Sequence, residues 1–398
     1  MTQPFKGIYD PITRRQLLRR AAAGGATLSL PALLAACGGG GGIEGQQADT
    51  GAEATTVEQV LADEITVSNW PFYIDQNDDA STFPTLDQFT EETGVKVKYL
   101  EDINSNEEFF GKIQAPLSRG QSIDRDIIVP TAWLAARLLA LGYLQKLDKS
   151  AIPNMKNLED SLAHPDWDPD RDYSLPWQTY ITGVGYDPDK VGGEITSVEQ
   201  LLDPALKGKI TMLNSMEDTV GLFLLEMGAD PVDVDPVAYD EVIAKIQKAV
   251  DDGQIRQFTG NDYTGPLAKG DVYASIAWSG DVVILQADNP NLQFTIPDAG
   301  GMTSVDTMLI PTGGDVYTAS VYMNYFYDPK VMAKVEAYVN YIPPVKGTKE
   351  AIAEIDPELA ENPLIFPPPE VRENLYEFSS EAIDNVEFQE KWQAVIGA

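Results

Sequence analysis

The chain has 398 residues, and its 62 acidic and 28 basic side chains give a formal net charge of −34. This balance argues against nucleic-acid partners, because proteins that bind nucleic acid need a basic surface. One histidine, His164, and one cysteine, Cys37, leave little material for histidine-based or thiol catalysis.

The N-terminus has the three parts of an export signal: a basic start, a short apolar run and small residues before a cysteine. The segment TRRQLLR (13–19) resembles the twin-arginine motif, which exports cargo folded before translocation. The sequence LAAC, ending at Cys37, resembles a lipobox, in which the cysteine is acylated and becomes the new N-terminus. We therefore predict a twin-arginine lipoprotein signal peptide over 1–36 and lipidation of Cys37. An ordinary secretory signal with an unmodified cysteine is the alternative.

A flexible tether is predicted over 37–63, because the segment is rich in glycine, alanine, threonine and acids and has little to bury. Cleavage before Cys37 would leave 23 basic and 61 acidic residues, a net charge of −38. Such a charge favours cationic small molecules, although it also simply keeps an exported protein soluble. About 335 residues remain beyond the tether, more than one core usually serves, so two lobes are expected.

From Glu64 onward, strand-like and helical segments alternate. EITVSNW, VKVKYL and RDIIVP are predicted strands, separated by helices in TLDQFTEETG and EEFFGKIQAPLSRG and followed by a helix in TAWLAARLLALG. In a second run, KGKITML and VYASIAW are predicted strands, and TVGLFLLEMG and DPVAYDEVIAKIQKAVDDG are predicted helices. This alternation predicts an α/β fold with mixed or parallel sheets covered on both faces.

Two segments are predicted to pass between the lobes: 173–187 (YSLPWQTYITGVGYD) and 300–311 (GGMTSVDTMLIP). The predicted lobes are 64–176 with about 306–343, and 177–305 with about 344–398. The final stretch, 367–398, is predicted to be helical, with an apolar stripe at Leu375, Phe378 and Ile383.

Few catalytic or metal motifs are present. Four aspartates between Asp166 and Asp172 superficially resemble a calcium loop, but Pro169 and the missing turn glycine favour a solvated turn. No zinc-ligand spacing or glycine-rich phosphate loop is found, and no cofactor is predicted. Paired carboxylates suit a glycosidase, yet pairs arise easily by chance among 62 acids, so a hydrolase has no specific support.

Several stretches, read in order, resemble the periplasmic spermidine/putrescine-binding proteins of ATP-driven importers. They are SNWPFYI, LDQFTEETGVKVKYLEDINSNEEFFGKI, DIIVPTAWLAARLLALGYLQKLDKSAIPN, DYSLPW, SIAWSGD and SVDTMLIP. The resemblance implies a two-lobed periplasmic binding protein of type II, with crossing hinge strands and a ligand cleft between the lobes. It also implies a binding protein rather than an enzyme, which delivers its ligand to a membrane permease.

The resemblance also implies ligand-binding positions. Trp70 and Tyr73 correspond to an aromatic pair at the cleft edge, Thr131 and Trp133 to a hydroxyl and an aromatic, and Trp278 to a cleft tryptophan. Asp306 corresponds to an amine-binding carboxylate and Tyr341 to a tyrosine before a proline. Asp218 falls where the family has a second carboxylate, with Glu217 beside it if the register shifts by one.

Two departures concern the ligand. Ser304 stands where the resemblance implies another tryptophan, and Ser215 stands where it implies an aspartate. The ligand is therefore expected to be a shorter polyamine, a differently substituted one, or another solute. Alkyl amines suit the remaining residues, since tryptophan faces attract ammonium groups by roughly 0.5–2 kcal/mol and carboxylates add charge-assisted hydrogen bonds.

The sequence thus predicts a monomeric, lipid-anchored binding protein in the periplasm or on the outer face of the cytoplasmic membrane. It is expected to capture putrescine or spermidine and pass it to an ABC permease. The alternatives are a binding protein for another solute, such as a ferric ion or a sugar, and a secreted lipid-anchored hydrolase.

Overall fold

The computed structural model describes residues 59–77 and 82–397. The predicted signal peptide, Cys37 and most of the predicted tether lie outside the described residues. Within the described ranges, no helix is both long and apolar enough to cross a membrane.

The strands are β1 (Glu64–Asn69), β2 (Lys96–Glu101), β3 (Ile127–Ile128), β4 (Leu144–Gln145), β5 (Ser174–Tyr186), β6 (Ile210–Leu213), β7 (Ile255–Thr259), β8 (Ala274–Trp278), β9 (Gln293–Thr295), β10 (Gly301–Pro311) and β11 (Leu375–Tyr376). The main path of the sheet runs β2-β1-β3-β10-β5-β8-β6-β7. Pairing is parallel at β2-β1-β3 and at β8-β6-β7, and antiparallel where β10 meets β5 and where β5 meets β8. The mixed sheet agrees with the α/β prediction.

The α-helices are α1 (Pro84–Thr93), α2 (Asn106–Leu117), α3 (Ala132–Ala140), α4 (Pro188–Val191), α5 (Met216–Glu226), α6 (Pro236–Asp251), α7 (Thr264–Lys269), α8 (Ser279–Leu285), α9 (Val316–Phe326), α10 (Pro329–Val339), α11 (Thr348–Ile355), α12 (Pro357–Ala360), α13 (Pro369–Arg372), α14 (Ser380–Asp384) and α15 (Val386–Ile396). Short 3₁₀ turns cover Lys149–Ala151, Pro153–Asn157, Asp160–Leu162, Val198–Leu202, Pro204–Leu206 and Asn261–Tyr263. Many of the α-helices begin behind a Ser, Asp or Asn whose side chain accepts a backbone N–H, which satisfies a donor left free at the helix start.

Strands β5 and β10 join two separate hydrophobic cores. The first part of β5 contributes Leu175 and Trp177 to one core, and its last part contributes Val184 to the other. Strand β10 runs antiparallel beside it, with Met302 in the second core and Met308 in the first. The chain therefore forms two lobes with crossing strands between them, as the sequence predicted.

The C-terminal third departs from the sequence expectation in two places. Leu375 and Tyr376 form β11 against Gly301 and Met302 instead of continuing a helix, because the edge of β10 offers backbone partners there. Helices α11 and α12 bury Ile352 and Ala360 against Ala333 of α10. Helices α11 and α12 thus pack on a helix of the first core, whereas the sequence analysis assigned 344–398 to the second lobe. Helices α14 and α15 pack on the second core.

The aspartate-rich turn is held by protein groups. Asp168 accepts hydrogen bonds from the backbone N–H groups of Asp172 and Tyr173 and from the hydroxyl of Ser174. Asp172 pairs with Lys146 and Lys149 at 2.8 and 2.6 Å. Across the described residues, no cluster of three or more potential metal ligands is found.

Candidate functional site

A cavity lies between the two lobes, where β5, β8 and β10 meet the N-terminal ends of α2 and α5. Seven of the eight predicted binding residues line it: Trp70, Tyr73, Thr131, Asp218, Trp278, Asp306 and Tyr341. Glu107, Tyr180, Asn261 and Glu217 complete much of the remaining wall. We call this cavity the cleft.

Asp306 is the carboxylate contributed by the crossing strand β10. Its two oxygens accept hydrogen bonds from the hydroxyls of Tyr73, at 2.7 Å, and Thr131, at 2.8 Å. Thr131 is itself fixed by the side chain of Asn106. Asp306 is 4% exposed, and burial raises its pKa to about 7. Both hydrogen bonds oppose that rise, so desolvation dominates.

Three further carboxylates line the cleft. Glu217 and Asp218 lie in the first turn of α5, and Glu107 lies in the first turn of α2. Asp218 accepts hydrogen bonds from the hydroxyl of Thr182 and from Nε1 of Trp278, the latter at 3.2 Å. Burial raises the pKa of all three groups, and mutual repulsion raises those of Glu107 and Glu217 further.

No lysine, arginine or histidine among the described residues lines the cleft. Three buried carboxylates and the partly buried Glu107 therefore share one cavity without a basic partner on its described wall. Such an arrangement is costly unless protons or a cation compensate the charge. The N-termini of α2 and α5 offset part of it, because helix starts carry partial positive charge.

The aromatic walls touch one another across the cleft. The ring of Trp278 lies 6.0 Å from that of Trp70 and 6.0 Å from that of Tyr180, edge to face in both cases. Nε1 of Trp70 donates to the carbonyl of Val129 at 2.8 Å, which fixes the plane of that ring. Tyr73 and Tyr341 form another edge-to-face pair, with centroids 5.0 Å apart.

The cleft has a volume of about 30 Å³, room for about two water molecules. An alkyl diamine is larger, so the cleft would admit one only if its walls separated. Trp70, in the first lobe, and Trp278, at the end of β8, form an aromatic contact that would then open.

A second hydrogen-bonded group, centred on Asp281, contacts Trp278 and Tyr341 of the cleft wall. Asp281 accepts hydrogen bonds from Asn261 at 2.9 Å, Tyr263 at 2.7 Å and Tyr341 at 2.9 Å. Burial raises the pKa of Asp281 to about 6. Tyr263 also accepts the backbone N–H of Trp278, so the group orients the tryptophan and Tyr341 together.

Trp133 lies outside the cleft. It follows Thr131 by two residues at the start of α3, and this helical spacing turns its ring to a different side. Its Nε1 donates to Glu217 at 2.7 Å, and the guanidinium of Arg137 lies 5.1 Å from its ring centre. Trp133 therefore positions a cleft carboxylate without lining the cleft.

Sequence reasoning missed Glu107, Tyr180 and Asp281. Glu107 has the pattern of an ordinary acid in a first helical turn, which gives no hint of a cleft. Asp281 ends the SIAWSGD stretch that carried the resemblance, so its position was available as a signal.

Comparison with known proteins agrees with this architecture. The model of the bacterial extracellular solute-binding protein family matches residues 85–367. The chain belongs to this family. Its members bind solutes for transport, and the interpretation of this solute-binding protein as a non-enzyme is confirmed.

Two relatives and one solved structure define the similarity more closely. The putrescine-binding periplasmic protein PotF of Escherichia coli is 30% identical over 81% of this chain and 89% of its own length. The spermidine/putrescine-binding periplasmic protein 1 of Haemophilus influenzae is 26% identical over 86% of this chain and 92% of its own length. A putative spermidine/putrescine ABC transporter structure from Listeria monocytogenes aligns with a TM-score of 0.72 at 23% identity, covering 84% of this chain and 98% of that one. The last similarity shows the two-lobed fold.

Proposed function

We propose that this solute-binding protein captures a linear polyamine, putrescine or spermidine, in the cleft and delivers it to an ABC permease. The observation that carries the proposal is a set of four carboxylates, three of them buried, with no basic residue on the cleft wall among the described residues. A dication compensates this charge at both ends, while its methylenes contact the tryptophan rings. The names of the relatives in Escherichia coli and Haemophilus influenzae support the same ligand class.

The residues divide into three roles. Asp306, with Tyr73 and Thr131, would bind one ammonium group, and Asp218 with Glu217 would bind the other. Trp70 and Trp278 would pack on the methylenes, and Tyr341 would close the side of the cleft. Trp133 would act indirectly, through its hydrogen bond to Glu217.

The cellular part of the proposal follows the same relatives, which are periplasmic. We place the protein in the periplasm or on the outer face of the cytoplasmic membrane, as a monomer held by a lipid on Cys37. Closure of the two lobes over the ligand would create the surface that the permease recognises.

Calorimetry on the mature chain tests the ligand. We expect putrescine or spermidine to bind in the micromolar range or tighter, and Asp306→Asn to weaken binding about ten- to a hundredfold, because a hydrogen bond to a charged group is worth roughly 1.5–3 kcal/mol. Trp278→Leu should weaken binding less. Asp75→Asn is a matched control, since Asp75 is also a buried acid with a pKa raised to about 6 but lies outside the cleft.

A panel of sugars and ferric salts tests the alternative ligands in the same instrument. Binding of a neutral sugar with no response to either amine would refute the polyamine proposal. Equal losses of affinity in Asp306→Asn and Asp75→Asn would show that removing a buried acid weakens binding by destabilising the fold in general.

A further inference from the structure

Helix α3 bridges the two lobes beside the cleft. Its buried residues Leu134 and Leu138 pack in the first core, whereas the ring of Trp133 packs against both cores. On this side, a cavity of about 370 Å³ lies between the lobes, with Trp133 from the first lobe and Ile383 from the second among its lining residues. Contacts that α3 makes with the second lobe therefore cross a gap.

The first bridging contact is a hydrogen bond to an acid of the cleft. Nε1 of Trp133 donates to Oε1 of Glu217 at 2.7 Å. Glu217 lies on α5, which packs in the second core, and it lines both the cleft and the cavity. An indole N–H can only donate, so it bonds most strongly to a carboxylate that is ionised. The strength of this contact therefore depends on the charge of Glu217.

The second bridging contact is an ion pair. Nη2 of Arg137, one turn along α3, lies 2.7 Å from Oδ1 of Asp384 on α14 of the second lobe. The guanidinium also lies 5.1 Å from the ring centre of Trp133 and 6.0 Å from that of Phe110, so two rings of its own lobe hold it. Exposed ion pairs usually contribute little because ordering both side chains costs entropy. Here the arginine is ordered by the rings and the aspartate is short, which reduces that cost.

The charge of Glu217 connects this bridge to the ligand. Burial, with repulsion from Asp218 and Glu107, raises the pKa of Glu217 and disfavours its ionised form. A cation in the cleft favours the ionised form, which accepts the stronger hydrogen bond from Trp133. Because such coupling is reciprocal, a bridge that a bound cation strengthens also holds the cation more tightly.

We propose that α3 is a latch between the lobes, in which two of its side chains bind acids of the other lobe and slow the release of a cation from the cleft. The latch consists of Trp133 bound to Glu217 and Arg137 bound to Asp384. Trp133 is thus a positioning residue, which acts through Glu217. This inference rests on the proposed function, because the cation is the proposed ligand, and it adds a determinant of how long that ligand stays bound.

Release of radiolabelled putrescine from the mature chain tests the hydrogen bond of the latch, with spermidine as a second probe. Trp133→Phe removes the Nε1 donor and keeps an aromatic ring beside Arg137. The dissociation rate should rise about tenfold, the loss expected for a hydrogen bond to a charged group, and the association rate should change little. Trp392→Phe is the matched control, because Nε1 of Trp392 donates to the carbonyl of Asn214 at 2.8 Å within the second lobe. It should release putrescine at the wild-type rate.

Asp384→Asn tests the ion pair of the latch. It should raise the dissociation rate up to about fivefold, the range expected for an exposed pair. Combining it with Arg137→Gln should raise the rate no further than Arg137→Gln alone, since both changes remove one contact. Asp240→Asn is the matched control, because Asp240 is similarly exposed and pairs with Lys391 at 2.6 Å within the second lobe.

Distances between labels on the two lobes test the latch without a ligand. Cys37 is the only cysteine, so Cys37→Ser with Glu91→Cys and Ala244→Cys places one spin label at an exposed position on each lobe. Trp133→Phe should lower the ratio of short to long distances about threefold, less than its effect on release, because Glu217 is then less ionised. Trp392→Phe should leave the ratio unchanged.

The outcomes separate the latch from the proposed function. If Trp133→Phe releases putrescine no faster than Trp392→Phe does, the latch is overturned and the cleft proposal stands. If neither amine binds to the wild type, the proposed function is overturned, and the label distances decide the latch by themselves. A distance ratio that is the same in Trp133→Phe and the wild type then overturns the latch as well, whereas a lower ratio in Trp133→Phe supports it.

Discussion

Asp306 can bind an ammonium group only when its carboxylate is ionised. Burial raises its pKa to about 7, so a proton and a cationic ligand compete for it near neutral pH. Glu107, Glu217 and Asp218 face the same cleft with raised pKa values, and Asp281 lies behind it with a pKa of about 6. The cleft should therefore bind cations more tightly as pH rises.

We expect the affinity for a diamine to increase from pH 5.5 to pH 8, with a slope of up to about tenfold per pH unit below the pKa of Asp306. Asp306→Asn should remove the part of this dependence that lies near pH 7 and leave the part due to the other acids. Calorimetry at several pH values, in buffers of differing ionisation enthalpy, measures both affinity and proton release. A wild-type affinity that is flat over this range would contradict the prediction.

Glu336 is a buried acid that lies outside the cleft. It is 0% exposed on α10, beside the side chain of Gln178 and the backbone of Tyr341, and neither carboxylate oxygen has a close hydrogen-bond partner. The buried Oε1 of Gln178 also has none. A neutral carboxylic acid donating to that oxygen would satisfy both groups, and burial raises the pKa of Glu336 accordingly.

The pKa of Glu336 is higher in the folded protein than its unfolded value of 4.5. The contribution of Glu336 to the free energy of unfolding is therefore complete below pH 4.5 and is lost as the pH rises. Glu336→Gln removes this loss and retains a donor for Gln178. We expect the variant to unfold at a higher temperature than the wild type at pH 8, by roughly 1 kcal/mol or more in free energy, and the difference to shrink towards pH 4.5. Scanning calorimetry measures this, with the exposed Glu354→Gln as control. A difference that does not depend on pH would contradict the argument.

At the scale of elements, one backbone approach joins the two lobes. Gly260, after β7, lies so close to the loop before α2 that a Cβ atom on it would stand 2.2 Å from the carbonyl oxygen of Asn104. The backbone N–H of Asn261 also donates to that carbonyl at 3.3 Å. Only a residue without a side chain allows this contact, which crosses the cleft.

Gly260→Ala should hold the lobes apart, because a closed cleft would place Cβ against the backbone. We expect weaker ligand binding and a larger radius of gyration in small-angle scattering with saturating ligand than for the wild type. Gly111→Ala is the control, since nothing lies within 4 Å of a Cβ atom in that part of α2 and alanine favours the helix. If Gly260→Ala binds ligand and contracts as the wild type does, the contact is not part of closure.

The elements also show how far sequence patterns reach. The crossing strands were predicted almost to their ends, since glycine and proline bound the apolar run of β10. The short strand β11 was not, because its pairing depends on a free edge at Gly301, which no local period encodes. Similarly, Asp306 was predicted from the resemblance carried by SVDTMLIP, whereas Glu107 reaches the cleft through the packing of α2.

At the scale of the whole molecule, the sheet is continuous but the hydrophobic cores are separate. Strands β5 and β10 carry the backbone pairing across, whereas few side chains are shared by both cores. A hinge at these strands would let the lobes move while each core stays packed. Repulsion among the carboxylates would then favour an open cleft until a cation enters.

The position of the protein in the cell depends on a segment outside the described residues. The arginine pair and the LAAC sequence predict export of a folded protein and a lipid on Cys37. The lipid would restrict the protein to the membrane surface near its permease, and the tether over 37–63 would leave the lobes free to close. Anchor and export can be tested separately, because they depend on different residues.

Cys37→Ser should move the mature protein from the membrane fraction to the soluble fraction of the cell envelope, because the thioether for the lipid is lost. Replacement of Arg14 and Arg15 by lysine should instead leave a full-length precursor inside the cell, since the export motif is lost while the cysteine remains. Fractionation with immunodetection measures both, and metabolic labelling with a fatty acid should mark the wild type alone. Retention of Cys37→Ser in the membrane fraction would contradict lipid anchoring, and normal processing of the lysine variant would contradict the twin-arginine route without affecting the anchor.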